Sequence, residues 1–406
     1  MKSLIKFEYR KLWNKVGITA VMTLLILTTV YTFAFIGVQT GTFDKNGKSV
    51  SGIATYRVLR ETSKDLKGVM NGKYIRKLIK KYNASFEKKY LTSPDHNGYA
   101  GMGGKTKYDD TNYLINYAYY GPYMSSGNEK LGLDYDFLKS EKSFYKKYKE
   151  AVYDTIVDSR VLPQKITEKR SEALKKKVNQ VKTPFKIGYV QGLFNVLNYY
   201  TNLYPVFFFT LAFALACTYA KNSNSGISEL NLATRYGRRK NMQARWIAGN
   251  LFTVTVYLIF LAVLFAEHGA IATLDGWNVS AQEFCYWCVL NISSGTWLII
   301  VFAEGLLGCL VIANMVMMLS IKIKRTKLTV AAGFIVIYYI VKIGSGYELS
   351  AWFSPLKFIS DDVFVQYLFI GNFPISYLVI IPVLGMLYIL ISYSFTRGSF
   401  RKYRMN

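Results

Sequence analysis

The sequence predicts an all-α polytopic membrane protein: six transmembrane helices, both termini cytoplasmic, and a mainly helical extracellular domain between the first two spans. Three observations carry this expectation. Of 406 residues, 51% are hydrophobic, and they collect in unbroken blocks instead of recurring at period 2 or 3.6 as in a soluble fold. Lys and Arg, 51 against 25 Asp and Glu, crowd the ends of particular blocks. One long polar insertion separates the first block from the second. A purely soluble enzyme is excluded.

Residues 1–15 carry Lys2, Lys6, Arg10, Lys11 and Lys15, with Ile5, Tyr9, Leu12 and Trp13 near one helical side. This pattern predicts a cytoplasmic interfacial helix, held on anionic lipid by charge and by Trp13. Residues 16–38 form the first span; they are too long, and flanked too late, for a cleaved leader. The remaining spans are 200–220, 246–267, 296–320, 328–346 and 375–396, each near the roughly 20 apolar residues that a hydrocarbon core of about 30 Å requires.

Orientation follows from the basic residues beside the spans. The segment 221–245, the loop with Lys322, Lys324, Arg325 and Lys327, and the tail 397–406 with Arg397, Arg401, Lys402 and Arg404 all belong inside. Residues 268–295 hold no Lys or Arg, and 347–374 hold only Lys357. The insertion at 39–199 is then outside, although residues 39–200 carry 30 Lys and Arg against 16 Asp and Glu. Long domains translocate regardless of charge.

The insertion is large enough for a domain with its own core. A charged helix is expected from Ile53 to Ala84, a Gly- and Tyr-rich stretch of turns and short strands from His96 to Asn128, and amphipathic helix over 135–182, broken near Pro163. The tyrosines of 113–123 suit either an adaptable binding surface or contact with the outer leaflet.

Catalytic patterns fail. Gly98 to Thr106 resembles a phosphate loop, but five residues separate Gly98 from Gly104 where that loop has four. His96 and His268 lack a Glu-x-x-His setting, and no Gly-x-Ser-x-Gly elbow is present. Cys285 and Cys288 form a single Cys-x-x-Cys without the second pair of a zinc ribbon, which leaves a disulfide or plain packing. No catalytic, metal or cofactor residue is therefore expected in this chain, and membrane topology accounts for the basic charge without nucleic acid. Two charges lie within spans, Glu304 and Lys342, and because isolated ions at such depth are expensive, either the two pair or Lys342 snorkels to the interface while Glu304 is protonated or faces protein.

The informative segment is Ser225 to Lys240. Ile227, Leu230 and Ala233 recur every third residue, which predicts a short surface helix with Glu229 and Arg235 turned to the cytosol. Gly237 is the expected stop, with Arg238, Arg239 and Lys240 placed to meet a helix carboxyl end or lipid phosphates.

With Leu232-Ala233-Thr234-Arg235-Tyr236-Gly237-Arg238-Arg239-Lys240 in that loop, Phe7-Glu8-Tyr9-Arg10-Lys11-Leu12 at the start, Gly68 followed by Tyr74 to Tyr82, and Phe353-Ser354-Pro355-Leu356-Lys357-Phe358 after span 5, the chain resembles the type-two ATP-binding-cassette (ABC) transporter permeases of Gram-positive bacteria. One departure is Lys221-Asn222-Ser223-Asn224, where that family often has an acidic residue. The resemblance implies a multi-pass permease in the bacterial cell membrane that exports an amphiphile such as an antimicrobial peptide, toxin or hydrophobic drug. It further implies a second permease, identical or related, and an ABC ATPase subunit that binds ATP and Mg and is contacted through Glu229, Leu230, Arg235, Tyr236, Gly237, Arg238, Arg239 and Lys240. A sensory or structural membrane protein without an ATPase is the alternative.

Overall fold

A computed structural model describes residues 1–39, 41–43, 49–64, 67–77, 140–157, 164–220, 237–283, 285, 287–346 and 349–401. The chain is mostly helical. A short helix α1 (Lys2–Leu12) precedes α2 (Lys15–Gln39). The insertion contributes the paired strands β1 (Gly41–Phe43) and β2 (Ser49–Ser51), then α3 (Ile53–Ser63), α4 (Glu141–Val157) and α5 (Glu168–Asn179). Then follow α6 (Gln191–Leu215), a short α7 (Cys217–Ala220), α8 (Gly237–Ala272), α9 (Ser294–Ile323), α10 (Thr326–Gly344) and α11 (Tyr377–Arg401). Among the described residues six helices are long and apolar enough to cross a membrane: α2, α6 with α7, α8, α9, α10 and α11.

α6 and α9 are the most enclosed of the six, whereas α2, α10 and α11 leave most of their surface open. The reason lies in two glycines. A Cβ on Gly305 would strike the Tyr200 hydroxyl and sit 2.9 Å from Ile359; one on Gly308 would strike the Tyr204 hydroxyl and sit 3.1 Å from the Pro355 carbonyl. The small residues let α6 and the segment 355–359 reach the α9 backbone, as in other helix pairs that must associate in lipid. Tyr204 OH donates to the Gly305 carbonyl at 2.7 Å, and Tyr257 OH to the Phe302 carbonyl at 2.7 Å.

Contacts set the direction of each helix. Glu8 of α1 meets Arg245 near the start of α8, Tyr219 of α7 packs on Phe400 near the end of α11, and Lys322 lies over the Phe395 ring. Both chain ends thus share one end of the bundle with the basic turn between α9 and α10. That turn is tight: Lys324 adopts a left-handed conformation with φ 60° and its N–H returns to Ser320, closing α9 two residues before α10 begins.

The insertion sits at the opposite end. Here the structure differs from a single charged helix over Ile53 to Ala84: α3 stops at Ser63, and Gly68–Val69 (β3) pairs antiparallel with Lys186–Ile187 (β4) before residues 72–77 return to helix. A strand whose partner lies more than a hundred residues away leaves no local periodicity to detect. Residues 78–139, including the Gly98 loop and the 113–123 tyrosines, lie outside the described residues. Helical expectations near 135–182 meet α4 and α5.

The core of this region is composite. Phe144, Tyr148, Val152, Ile156, Leu174 and Ile187 of the insertion pack with Val289 from the loop after α8 and with Val365, Tyr367 and Phe369 from the loop after α10. The latter loop folds as a hairpin, Tyr367–Ile370 (β5) with Phe373–Ser376 (β6). Hydrogen bonds stitch the three segments: Lys186 N to Ser280 Oγ at 2.9 Å, Lys182 N to Asn291 Oδ1 at 2.6 Å, and Phe369 N to Gln164 Oε1 at 2.6 Å. Cys285 and Cys288 are buried free thiols, and burial pushes the Cys288 thiol up to about 12.

Two outcomes are expected. Gly308→Ala lowers the thermal unfolding temperature of the detergent-solubilised protein by the equivalent of ~1–3 kcal/mol of overpacking. The loss shrinks in a Tyr204→Phe background, and equal losses in both backgrounds refute this packing account. The second concerns alkali. Burial raises Cys288 and likewise Tyr145, Tyr148 and Tyr367, so the unfolded chain releases protons that the folded core retains. Stability is complete below the ordinary thiol value of 9.0 and is lost as pH climbs toward about 12. Near-ultraviolet dichroism should therefore fade reversibly above pH ~9; a flat signal refutes the assignment.

Candidate functional site

The candidate site is the basic end, where α1, α7, α8 and the end of α9 converge on either side of the 221–236 segment. α1 docks on α8 through one face. Leu12 is buried, Tyr9 OH donates to Thr255 Oγ1 at 3.1 Å, and the Trp13 ring lies 5.1 Å from Phe252. The expected stripe of Ile5, Tyr9, Leu12 and Trp13 is thus spent largely on a protein surface. Phe7 is left exposed beside Lys11, whose ammonium lies over its ring.

The buried face also carries Glu8, one helical turn before Leu12. Glu8 is 8% exposed and Arg245 4%. The Glu8 carboxylate stands 3.6 Å from Arg245 Nε and 2.9 Å from Lys11 Nζ. Arg245 Nε donates instead to Asn241 Oδ1 at 3.0 Å, so the Glu8–Arg245 contact is an ion contact without hydrogen-bond geometry. A second Arg245 donor reaches the Thr218 carbonyl at 3.4 Å, and its guanidinium lies 5.9 Å over the Tyr219 ring. Tyr219 OH in turn donates to the Met242 carbonyl at 3.2 Å.

Ser320 of α9 completes the junction. Its hydroxyl donates to the Ala216 carbonyl at 2.7 Å and accepts from the backbone N–H groups of Tyr219 and Ala220 at 3.1 and 3.0 Å. The break between α6 and α7 is therefore satisfied by a side chain from a neighbouring span, which exposed backbone at this depth requires. The result is a seat in which α7 and α8 are joined to α1 and α9.

Of the sequence-predicted coupling residues, Glu229, Leu230, Arg235 and Tyr236 lie outside the described residues. Gly237, expected as a helix stop, lies within α8. Arg238, Arg239 and Lys240 follow Gly237 within α8, and Lys240 is exposed.

The intramembrane charges are not paired. Glu304 is 6% exposed and its Oε2 has no hydrogen-bond partner, while Lys342 is exposed near the end of α10. Of the two readings, the one without a pair holds among the described residues: Glu304 faces protein and Lys342 is exposed. Glu304 lies instead within electrostatic reach of Tyr204 and Tyr377.

Sequence reasoning missed three contacts made by polar side chains inside the bundle. Asn314 accepts from Trp246 Nε1 and donates to Asn250 Oδ1 at 2.8 Å, bridging α8 and α9. Thr29 Oγ1 donates to Glu267 Oε1 at 2.6 Å, joining α2 to α8. His268 is fully buried, with its ring 4.5 Å from that of Tyr199. Spacing hints at Glu8 and Arg245, since Glu8–Leu12 and Asn241–Arg245 each repeat at i, i+4.

Removing one member of the Glu8–Arg245 contact strands a buried charge, typically at a cost of ~3–5 kcal/mol. Glu8→Ala should lower the unfolding temperature and expose the amino terminus to protease, and Glu8→Ala with Arg245→Leu should recover part of the loss. Additive losses in the double variant refute the coupling.

Compared with protein-family models, curated proteins and solved structures, the chain matches no family model and shows no significant similarity to a curated protein or a solved structure.

Proposed function

We propose that this chain is the membrane-spanning permease subunit of an ABC exporter in a bacterial cell membrane. It moves an amphiphile outward with energy from ATP hydrolysed by a separate subunit. Both termini and the 221–240 segment face the cytoplasm in this reading, and the insertion faces outside. The observation that carries it is the seat at the basic end: α7 and the start of α8, which flank the 221–236 segment, are bound by Glu8, Arg245, Tyr219 and Ser320 to the amino-terminal helix and to α9. A force on that segment passes into spans 2, 3 and 4 together, because tightly packed helices move as units. Arg235, Arg238, Arg239 and Lys240 supply the positive face toward the ATPase, and ATP and Mg belong to that partner. A second permease completes the transport unit.

The composite core at the other end supports a second reading, a sensor, since a ligand on the insertion would press on the loops after α8 and α10. Mild-detergent purification separates the two. A stoichiometric ATPase that co-purifies, and detaches when Arg235 and Arg238 to Lys240 become alanine, supports the exporter. Purification without any ATPase favours the sensor, and nucleotide hydrolysis by the chain alone overturns both.

A further inference from the structure

Where α2, α6 and α8 meet near the domain end of the bundle, a layer of polar side chains is buried without partners. His268 and Thr32 are 0% exposed, Tyr199 2% and Asn195 5%. Both ring nitrogens of His268, the Thr32 and Tyr199 hydroxyls, Asn195 Nδ2 and Glu267 Oε2 have no hydrogen-bond partner. Helix register puts them at one level. A Cβ on Gly17 of α2 would lie 4.0 Å from Phe252 of α8, and Thr29 bonds Glu267 further along, so these two helices run in the same direction. Thr32 is about 4.5 Å beyond Thr29 at helical rise, level with His268 and the residues just after it. α6 runs the opposite way: Gly192 lies against the Thr273 carbonyl, and the Tyr199 ring stands 4.5 Å from the His268 ring. Asn195, one turn before Tyr199, shares its face. From α2, Tyr31 and Phe35 each place a ring 5.5 Å from that of Tyr199.

Thr32 differs from the other buried threonines of the spans. Thr28, one turn earlier, donates to its own helix at the Leu24 carbonyl at 2.8 Å, and Thr253 does likewise to Gly249 at 3.0 Å. Thr32 makes no such bond, which leaves its hydroxyl for another partner. The imidazole and the Asn195 amide bring donors, Glu267 an acceptor and the two hydroxyls both, yet none of these atoms bonds to another. Buried polar groups in native proteins are nearly always satisfied, so a bridging molecule that both donates and accepts is required. Glu267 disfavours an anion, and no cluster of three His, Cys, Asp or Glu that would hold a metal ion exists among the described residues. The rings around the layer are in contact, which restricts the occupant to the size of water.

We infer that this layer is a hydration site, in which about two ordered waters, at roughly three hydrogen bonds each, bridge His268, Tyr199, Thr32, Asn195 and Glu267. Glu267 is half-buried and forms the rim through which the waters exchange with solvent at the domain end. Part of the contact between α2 and the α6–α8 pair is therefore made through water, and such bonds re-form when α2 shifts, where direct ones would be lost. The site stands equally for an exporter and for a sensor.

The chain has two histidines, so His96→Gln leaves His268 as the single imidazole. The test uses this full-length variant, carrying isotopically labelled histidine, in bilayers of deuterated lipid. Water-edited solid-state magnetic-resonance spectra should show the imidazole, and its signal should fall when Thr32→Val or Tyr199→Phe removes a bridging hydroxyl. Each of those substitutions should also lower the unfolding temperature, by on the order of 2 °C, and the two together by less than their sum. An imidazole missing from the water-edited spectra but present in the full spectra marks a dry layer or a direct protein contact and overturns the proposal. An unchanged or higher unfolding temperature in both variants overturns it as well, since deleting a dry, orphaned hydroxyl relieves its desolvation. Should either variant fail to fold, the water-edited spectrum of the parent decides alone.

Discussion

The approach of α9 to α6 and to the 355–359 segment is the contact on which the rest of the bundle depends. Lipid is as apolar as leucine, so no hydrophobic force pulls spans together, and association rests on close packing and interhelical hydrogen bonds. Gly305 and Gly308 provide the notch, and the hydroxyls of Tyr200 and Tyr204 and the backbone of Pro355 occupy it. The loop after α10 can fold back at this depth only because protein surrounds it. Its return sets Ile359 against Gly305 and the Pro355 carbonyl against Gly308 of α9.

The two ends of the bundle are joined by one continuous element. α8 runs 36 residues, about 54 Å at helical rise, from the basic turn at Gly237 to Ala272. Near its start Arg245 meets Glu8; near its end Glu267 accepts from Thr29 and His268 packs on Tyr199. A displacement at either end therefore reaches the other without crossing a hinge in this helix. The insertion shares a core with the loops beyond α8 and α10, so it cannot move independently of them. This mechanical continuity suits a protein that passes force through a membrane, in whichever direction the force travels.

How much of the site was legible follows from the type of signal. The amino-terminal helix declared itself through its apolar stripe, but that stripe cannot say whether lipid or protein covers it. Glu8 reads in sequence as an ordinary polar residue, and its burial depends on Arg245, far along the chain and brought near only by the docking of α1. Gly237 misled because glycine commonly marks a helix stop yet is also tolerated within a helix, and local sequence does not separate the two.

Six apolar blocks and the basic clusters beside them were determined by the sequence alone, because a bilayer requires long uninterrupted apolar helices and penalises charge, and both demands are local and additive. The pairing of β3 with β4, the composite core, the Glu8–Arg245 contact and the separation of Glu304 from Lys342 were decided only by the tertiary structure. Each joins residues distant in the chain, and which buried polar group finds a partner depends on how helices pack, a property no single segment carries.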